Sequence, residues 1–180
     1  MRKIMNYYPI GIDMDDRRLT AAQFHGTRQG LRLRGLFSRP LAPPAEADDD
    51  QLVAALKSVV SCRLFKGRRV VFNIPFRDLT VFPVHCPLGE GEDPEEAILR
   101  EAPKLLPYPL EEAIIDYPSF MGDPGTCDAT VVAVRRQVMG RWLGVLRRAG
   151  LRTEAMEFSI SSLIRLHRSL FQKDGRANHL

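Results

Sequence analysis

The stretch Pro9-Ile10-Gly11-Ile12-Asp13-Met14-Asp15-Asp16-Arg17 decides how the rest of the chain reads. A short apolar run closed by turn-forming carboxylates predicts a strand that stops at a tight turn. Leu19-Thr20-Ala21-Ala22-Gln23-Phe24 follows as a second strand, weakened by alanine's low strand propensity. Beyond Gly26 and Gly30, Leu31, Leu33 and Leu36 partly alternate with Arg32 and Arg34, the pattern of a half-exposed third strand. The short turns between them predict an antiparallel meander.

Pro40, Pro43 and Pro44 then impose a loop that ends at Asp48-Asp49-Asp50. Carboxylates there accept orphan N–H groups and complement the helix dipole, so a helix should start at this point. Leu52, Val53, Leu56, Val59, Val60 and Leu64 recur at helical spacing and give it one buried face. Arg69-Val70-Val71-Phe72-Asn73-Ile74 reads as a core strand, stopped by Pro75, which cannot donate to a ladder.

A second module begins near Asp78. Leu79 to His85 is a strand that Pro83 confines to an edge or a bulge. Asp93-Pro94-Glu95-Glu96 is a helix entry, with Asp as cap and Pro in the first turn, and Pro103 should kink or end that helix. Glu112 to Tyr117 and Asp128 to Val134 are further strands. A helix from about Arg135 gathers Val138, Trp142, Val145, Leu146 and Ala149 on one arc, which predicts Trp142 in the core of the module. Strand Leu151 to Phe158 and helix Ile160 to Phe171 complete the pattern, and 173–180 is expected to be a frayed tail. From Asp78 the order is strand, helix, strand, strand, helix, strand, a split βαβ arrangement.

Composition excludes several classes. Hydrophobic residues are 44% and charged residues 27%, ordinary for a globular domain. No apolar run approaches the roughly 20 residues of a membrane-spanning helix, and Met1 to Tyr7 lacks the features of a secretory signal. A cytoplasmic location is expected. Cys62, Cys86 and Cys127, and His25, His85, His167 and His179, are scattered without ligand spacing, so no metal site and no disulfide framework are expected. Twenty-six basic against 22 acidic residues is a mild excess that makes no nucleic-acid argument.

The βββαβ start with Gly11-Ile12-Asp13 on its first strand resembles the RNase H-like half of the actin superfamily. Lys66-Gly67-Arg68-Arg69-Val70-Val71 running to Ile74-Pro75, Glu101 to Glu112, Asp116-Tyr117 and Arg148-Ala149-Gly150-Leu151 look, in order and spacing, like PilM-type pilus assembly proteins. These are similar in layout to FtsA and to the cytoplasmic part of GspL. The resemblance implies an α/β fold: an RNase H-like (actin-like) subdomain, 7–77 plus 151–172, with an inserted SHS2-type module, 78–150. It also implies a PilN-like inner-membrane partner, captured through its cytoplasmic N-terminal segment, and peripheral membrane association through that partner.

The family's first phosphate motif is Asp-x-Gly-Ser/Thr. Here it reads Asp13-Met14-Asp15-Asp16, with carboxylates in place of the glycine and the hydroxyl. Two like charges about 4 Å apart repel by roughly 4 kcal/mol at an effective dielectric of 20. Asp13, Asp15 and Asp16 are therefore expected to be a degenerate phosphate-loop remnant, or simply a solvated turn. The second phosphate hairpin of the family would follow the last helix, beyond this sequence. No catalysis and no cofactor are expected, with ATP and magnesium as the alternative if a second half is supplied elsewhere. A degenerate or truncated actin-like protein is the bland alternative. An RNase H-like nuclease is a further one, disfavoured because Val70 to Ile74 offers no second carboxylate. Arg136, Arg141, Arg147 and Arg148, lying off the apolar arc of their helix, read first as a solvated face, then as a docking patch for an acidic partner or lipid surface, and last as a nucleic-acid contact.

Overall fold

The structure, a computed structural model, describes residues 7–41, 48–117, 120–121 and 125–171. The expected tail at 173–180 and the loop prolines Pro43 and Pro44 lie outside the described residues. The chain divides into two compact units, one running to Phe76 and resuming at Arg141, the other Arg77–Gly140.

The first unit is built on a five-stranded sheet. Its strands are β1 (Ile10–Met14), β2 (Arg18–Thr27), β3 (Gly30–Pro40), β4 (Arg69–Asn73) and β9 (Arg152–Glu157), in the order β3-β2-β1-β4-β9. β1, β2 and β3 form the antiparallel meander, whereas β4 pairs parallel with both β1 and β9. The parallel pairs need crossovers, and helices supply them. α1 (Asp49–Ser61) opens at Asp48, whose carboxylate accepts from the Gln51 amide at 2.8 Å. α1 turns Leu52, Leu56 and Val59 inward.

α3 (Arg136–Arg148) crosses the division between the units and ends at Gly150. That glycine has φ +77°, so the backbone favours Gly there, while the nearby Arg68 guanidinium is the end of a flexible side chain that could give way. Trp142 corrects one expectation. It is fully buried in the first unit, its ring centroid 5.1 Å from that of Phe72 on β4, and is no part of the module core. The second unit accordingly closes at Gly140 instead of Gly150. α4 (Ser159–Phe171) follows β9.

The second unit holds β5 (Thr80–Pro87), α2 (Pro94–Leu105), β6 (Ala113–Asp116), β7 (Phe120–Met121) and β8 (Thr126–Arg135). Its sheet runs β5-β8-β6, with β7 also on β8, and every pairing is antiparallel. The strand Leu151 to Phe158, last in the split βαβ order read from Asp78 but given by the resemblance to the first subdomain, joins the first sheet, where its partner is β4. Pro83 sits on β5 at the sheet edge, the position expected of a residue that cannot donate to a ladder. α2 is capped by Asp93, which accepts from the Glu95 amide, and ends two residues past Pro103. Ala97 and Ile98 of α2 pack in one cluster with Val84, Cys86, Cys127 and Val131. Burial, with Cys86 beside it, pushes the Cys127 thiol up.

Candidate functional site

In open sheets with parallel strands, ligands gather outside the carboxyl ends of the strands. Here those ends belong to β1, β4 and β9 and carry Asp13, Asn73 and Glu157. Asn73 Nδ2 donates to Asp13 Oδ1 at 3.1 Å, and Ser159 Oγ, at the start of α4, reaches the same oxygen at 3.4 Å. Ser162 Oγ donates to Asn73 Oδ1 at 3.4 Å. Glu157 points its carboxylate along α4, accepting from Ser161 Oγ at 3.0 Å and pairing with Arg165. The result is a hydrogen-bonded polar patch in which Asp13 is met by the neutral donors Asn73 and Ser159 and Glu157 by Ser161 and Arg165. Of these residues the sequence points to Asp13; Asn73 falls in a strand that offers no carboxylate, and nothing local marks Glu157 or Ser159.

Asp15 belongs to the turn. Its Oδ1 accepts from the amides of Arg17 and Arg18 at 2.7 and 2.8 Å, while its own amide donates to the Arg18 carbonyl at 3.0 Å. A bound phosphate would need such outward backbone N–H groups as donors. The side chain of this turn already fills them with an anion of its own, an arrangement aspartate favours in turns. Asp16 is exposed at the tip.

The arginines of α3 do not gather into one patch. Arg141 pairs with Asp49 (Nε to Oδ1, 2.7 Å) and Arg148 with Asp50, so two of them fasten α3 to the start of α1. Arg136 donates to the Glu111 carbonyl at 2.8 Å in the second unit. Arg147 is exposed. Among the described residues no group of three or more His, Cys, Asp or Glu is placed to hold a metal ion, and no helix is long and apolar enough to cross a membrane.

No protein-family model and no curated protein matches this chain. Solved structures do match. A chain of a structure described as a PilM–PilN type IV pilus biogenesis complex has a TM-score of 0.72 and 22% identity, over 93% of this chain and 52% of that one. The cytoplasmic domain of EpsL, an inner-membrane component of the type II secretion system of Vibrio cholerae, has a TM-score of 0.53 and 17% identity, over 82% of this chain and 56% of that one. The chain thus spans about half the length of the solved chains it matches. At identities this low the likeness is one of fold, a mixed α/β architecture shared with these chains.

Proposed function

We propose that this protein is a non-catalytic scaffold of a type IV pilus or type II secretion assembly complex, docking the cytoplasmic N-terminal segment of a PilN-like inner-membrane protein. The sheet order β3-β2-β1-β4-β9 supports reading the first unit as an RNase H-like, actin-like subdomain. The separate Arg77–Gly140 unit, set between two parts of the first, supports reading it as the SHS2-type insertion that the resemblance implies. The protein would then sit at the cytoplasmic face of the inner membrane, held there by its partner.

The observation that carries the non-catalytic reading is the Asp15 carboxylate lying on the Arg17 and Arg18 amides. A phosphate arriving there would have to displace this internal anion and approach Asp13 and Asp16, all carboxylates. A metal-dependent nuclease finds equally little support. Asp13 is met by the amide of Asn73, a donor, where a second carboxylate would be needed to share a cation. Equilibrium dialysis with labelled ATP and magnesium should give no retention, and micromolar affinity would overturn this reading. For the docking half, immobilised protein should retain a PilN-like N-terminal peptide and not its scrambled version. Equal retention of both would refute it.

A further inference from the structure

β3 is the longest strand of the first unit and lies at the edge of its sheet. Long apolar edges invite pairing with other chains, and proteins usually blunt them with charge or bulges. The register sorts its side chains. Leu36 lies opposite Ala22, Leu33 opposite Phe24 and Leu31 opposite Gly26, which places these leucines and Phe24 on one face. They are exposed by 59%, 53% and 63%, and Phe24 by 43%. Arg39 lies opposite Leu19, Phe37 opposite Ala21 and Arg32 opposite His25, on the other face, with a bulge at Arg34 between the two stretches. Three leucines on one side of the edge are therefore backed on the other by Arg32 and Arg39, with Phe37 between them.

The charge is one-sided. Arg17 to Leu41 contains six arginines, at 17, 18, 28, 32, 34 and 39, and no carboxylate. The partners seen for these side chains are neutral: Ser38 for Arg18, Gln29 for Arg32 and the ring of Tyr7 for Arg34. Two copies of this edge would set arginine against arginine, so self-pairing is disfavoured. A flat bilayer would meet either the leucines or Arg32 and Arg39, since they stand on opposite faces. An extended chain meets both faces at once.

We propose that the edge of β3, which among the described residues pairs with β2 alone, receives, as a sixth strand, an acidic segment of a partner protein in which apolar residues alternate with Asp or Glu. Backbone bonds to β3 hold it, its apolar residues cover Leu31, Leu33 and Leu36, and its carboxylates face Arg32 and Arg39. The match to the Leu31–Arg39 stretch needs about eight to ten residues at ~3.3 Å each. This surface lies apart from the Asp13 patch and stands without the docking reading above.

The test uses a ten-residue Glu-Val repeat peptide, the same peptide with Lys for Glu, and the Glu-Val peptide N-methylated at every second residue. Vesicles of phosphatidylcholine with phosphatidylserine form a further arm. The Glu-Val peptide should bind saturably and slow hydrogen exchange across residues 30–40, with affinity at least tenfold above the Lys and N-methylated peptides and no comparable retention on vesicles. The double variant Arg32→Glu, Arg39→Glu, both at exposed positions, should invert the preference towards the Lys peptide while keeping the wild-type circular dichroism. Absent binding, equal binding of the N-methylated peptide, unchanged exchange in β3, or preference for the vesicles would each overturn the proposal.

Discussion

The carboxylate of Asp15 accepts a hydrogen bond from the backbone amide of Arg18 at 2.8 Å, closing the turn that follows β1. The same oxygen also takes the Arg17 amide. Where the related phosphate motif has a glycine, this chain has an anion that serves its own backbone. Replacing Asp15 with Ala removes both bonds and should cost about 1 kcal/mol, the usual value of a side-chain cap on orphan amides. Asn at this position should recover most of it. Urea titration of the two variants reads the difference, and an Asp15→Ala protein as stable as wild type would contradict it.

Phe72 and Trp142 should matter more. Both are fully buried, and their rings are in contact. Phe72→Ala is expected to cost about 3–5 kcal/mol and Phe72→Leu about 1–1.5 kcal/mol, through lost burial and the cavity left behind. Trp142 is the only tryptophan of the chain, so its fluorescence reports the first unit directly. A red-shifted native emission in Phe72→Ala, and a lowered urea midpoint, are the expected signals.

Gln23 carries a different kind of stability. It is buried at 1% exposure, and its amide nitrogen donates to the carbonyls of Tyr8 and Lys66, both at 2.8 Å. Its oxygen accepts from the Lys66 amide at 2.7 Å. Gln23→Leu keeps the volume but orphans these backbone groups, at about 1–3 kcal/mol. Gln23→Glu should be worse at neutral pH, since a carboxylate cannot donate to two carbonyls. Thermal unfolding should rank wild type above Leu above Glu, and the reverse order of the variants would count against this network.

The Tyr117 hydroxyl is pushed up to about 12 by burial and by its bond to the Glu95 carboxylate. A raised value means that the folded state holds the proton more tightly. The stabilisation it gives is complete below the ordinary tyrosine value of about 10 and is lost as pH rises towards about 12. Absorbance at 295 nm should contain a late tyrosinate phase that Tyr117→Phe removes and Glu95→Gln brings to lower pH. A titration unchanged by Tyr117→Phe would dismiss the assignment.

Much of the fold is legible along the chain because local signals agree. Asp48 and Asp93 mark helix starts, Pro75 and Gly150 mark ends, and the period-two pattern marks β1 and β4. The destination of Trp142 is not legible, because an apolar arc states which face is buried and not against which sheet. The polar patch is hidden for a similar reason. Ser159 lies 146 positions from Asp13 and is brought to it only by the parallel crossovers. Gln23 reads as a break in the pattern of β2, since nothing local reveals the carbonyls waiting for it.

The proposed scaffold docks its partner without nucleotide. A fluorescently labelled N-terminal peptide of a PilN-like protein, titrated into the nucleotide-free protein and again with ATP and magnesium, tests it most directly by anisotropy. One saturable isotherm is expected, the same with and without nucleotide. No saturation into the high-micromolar range, or binding that appears only with ATP, would contradict it.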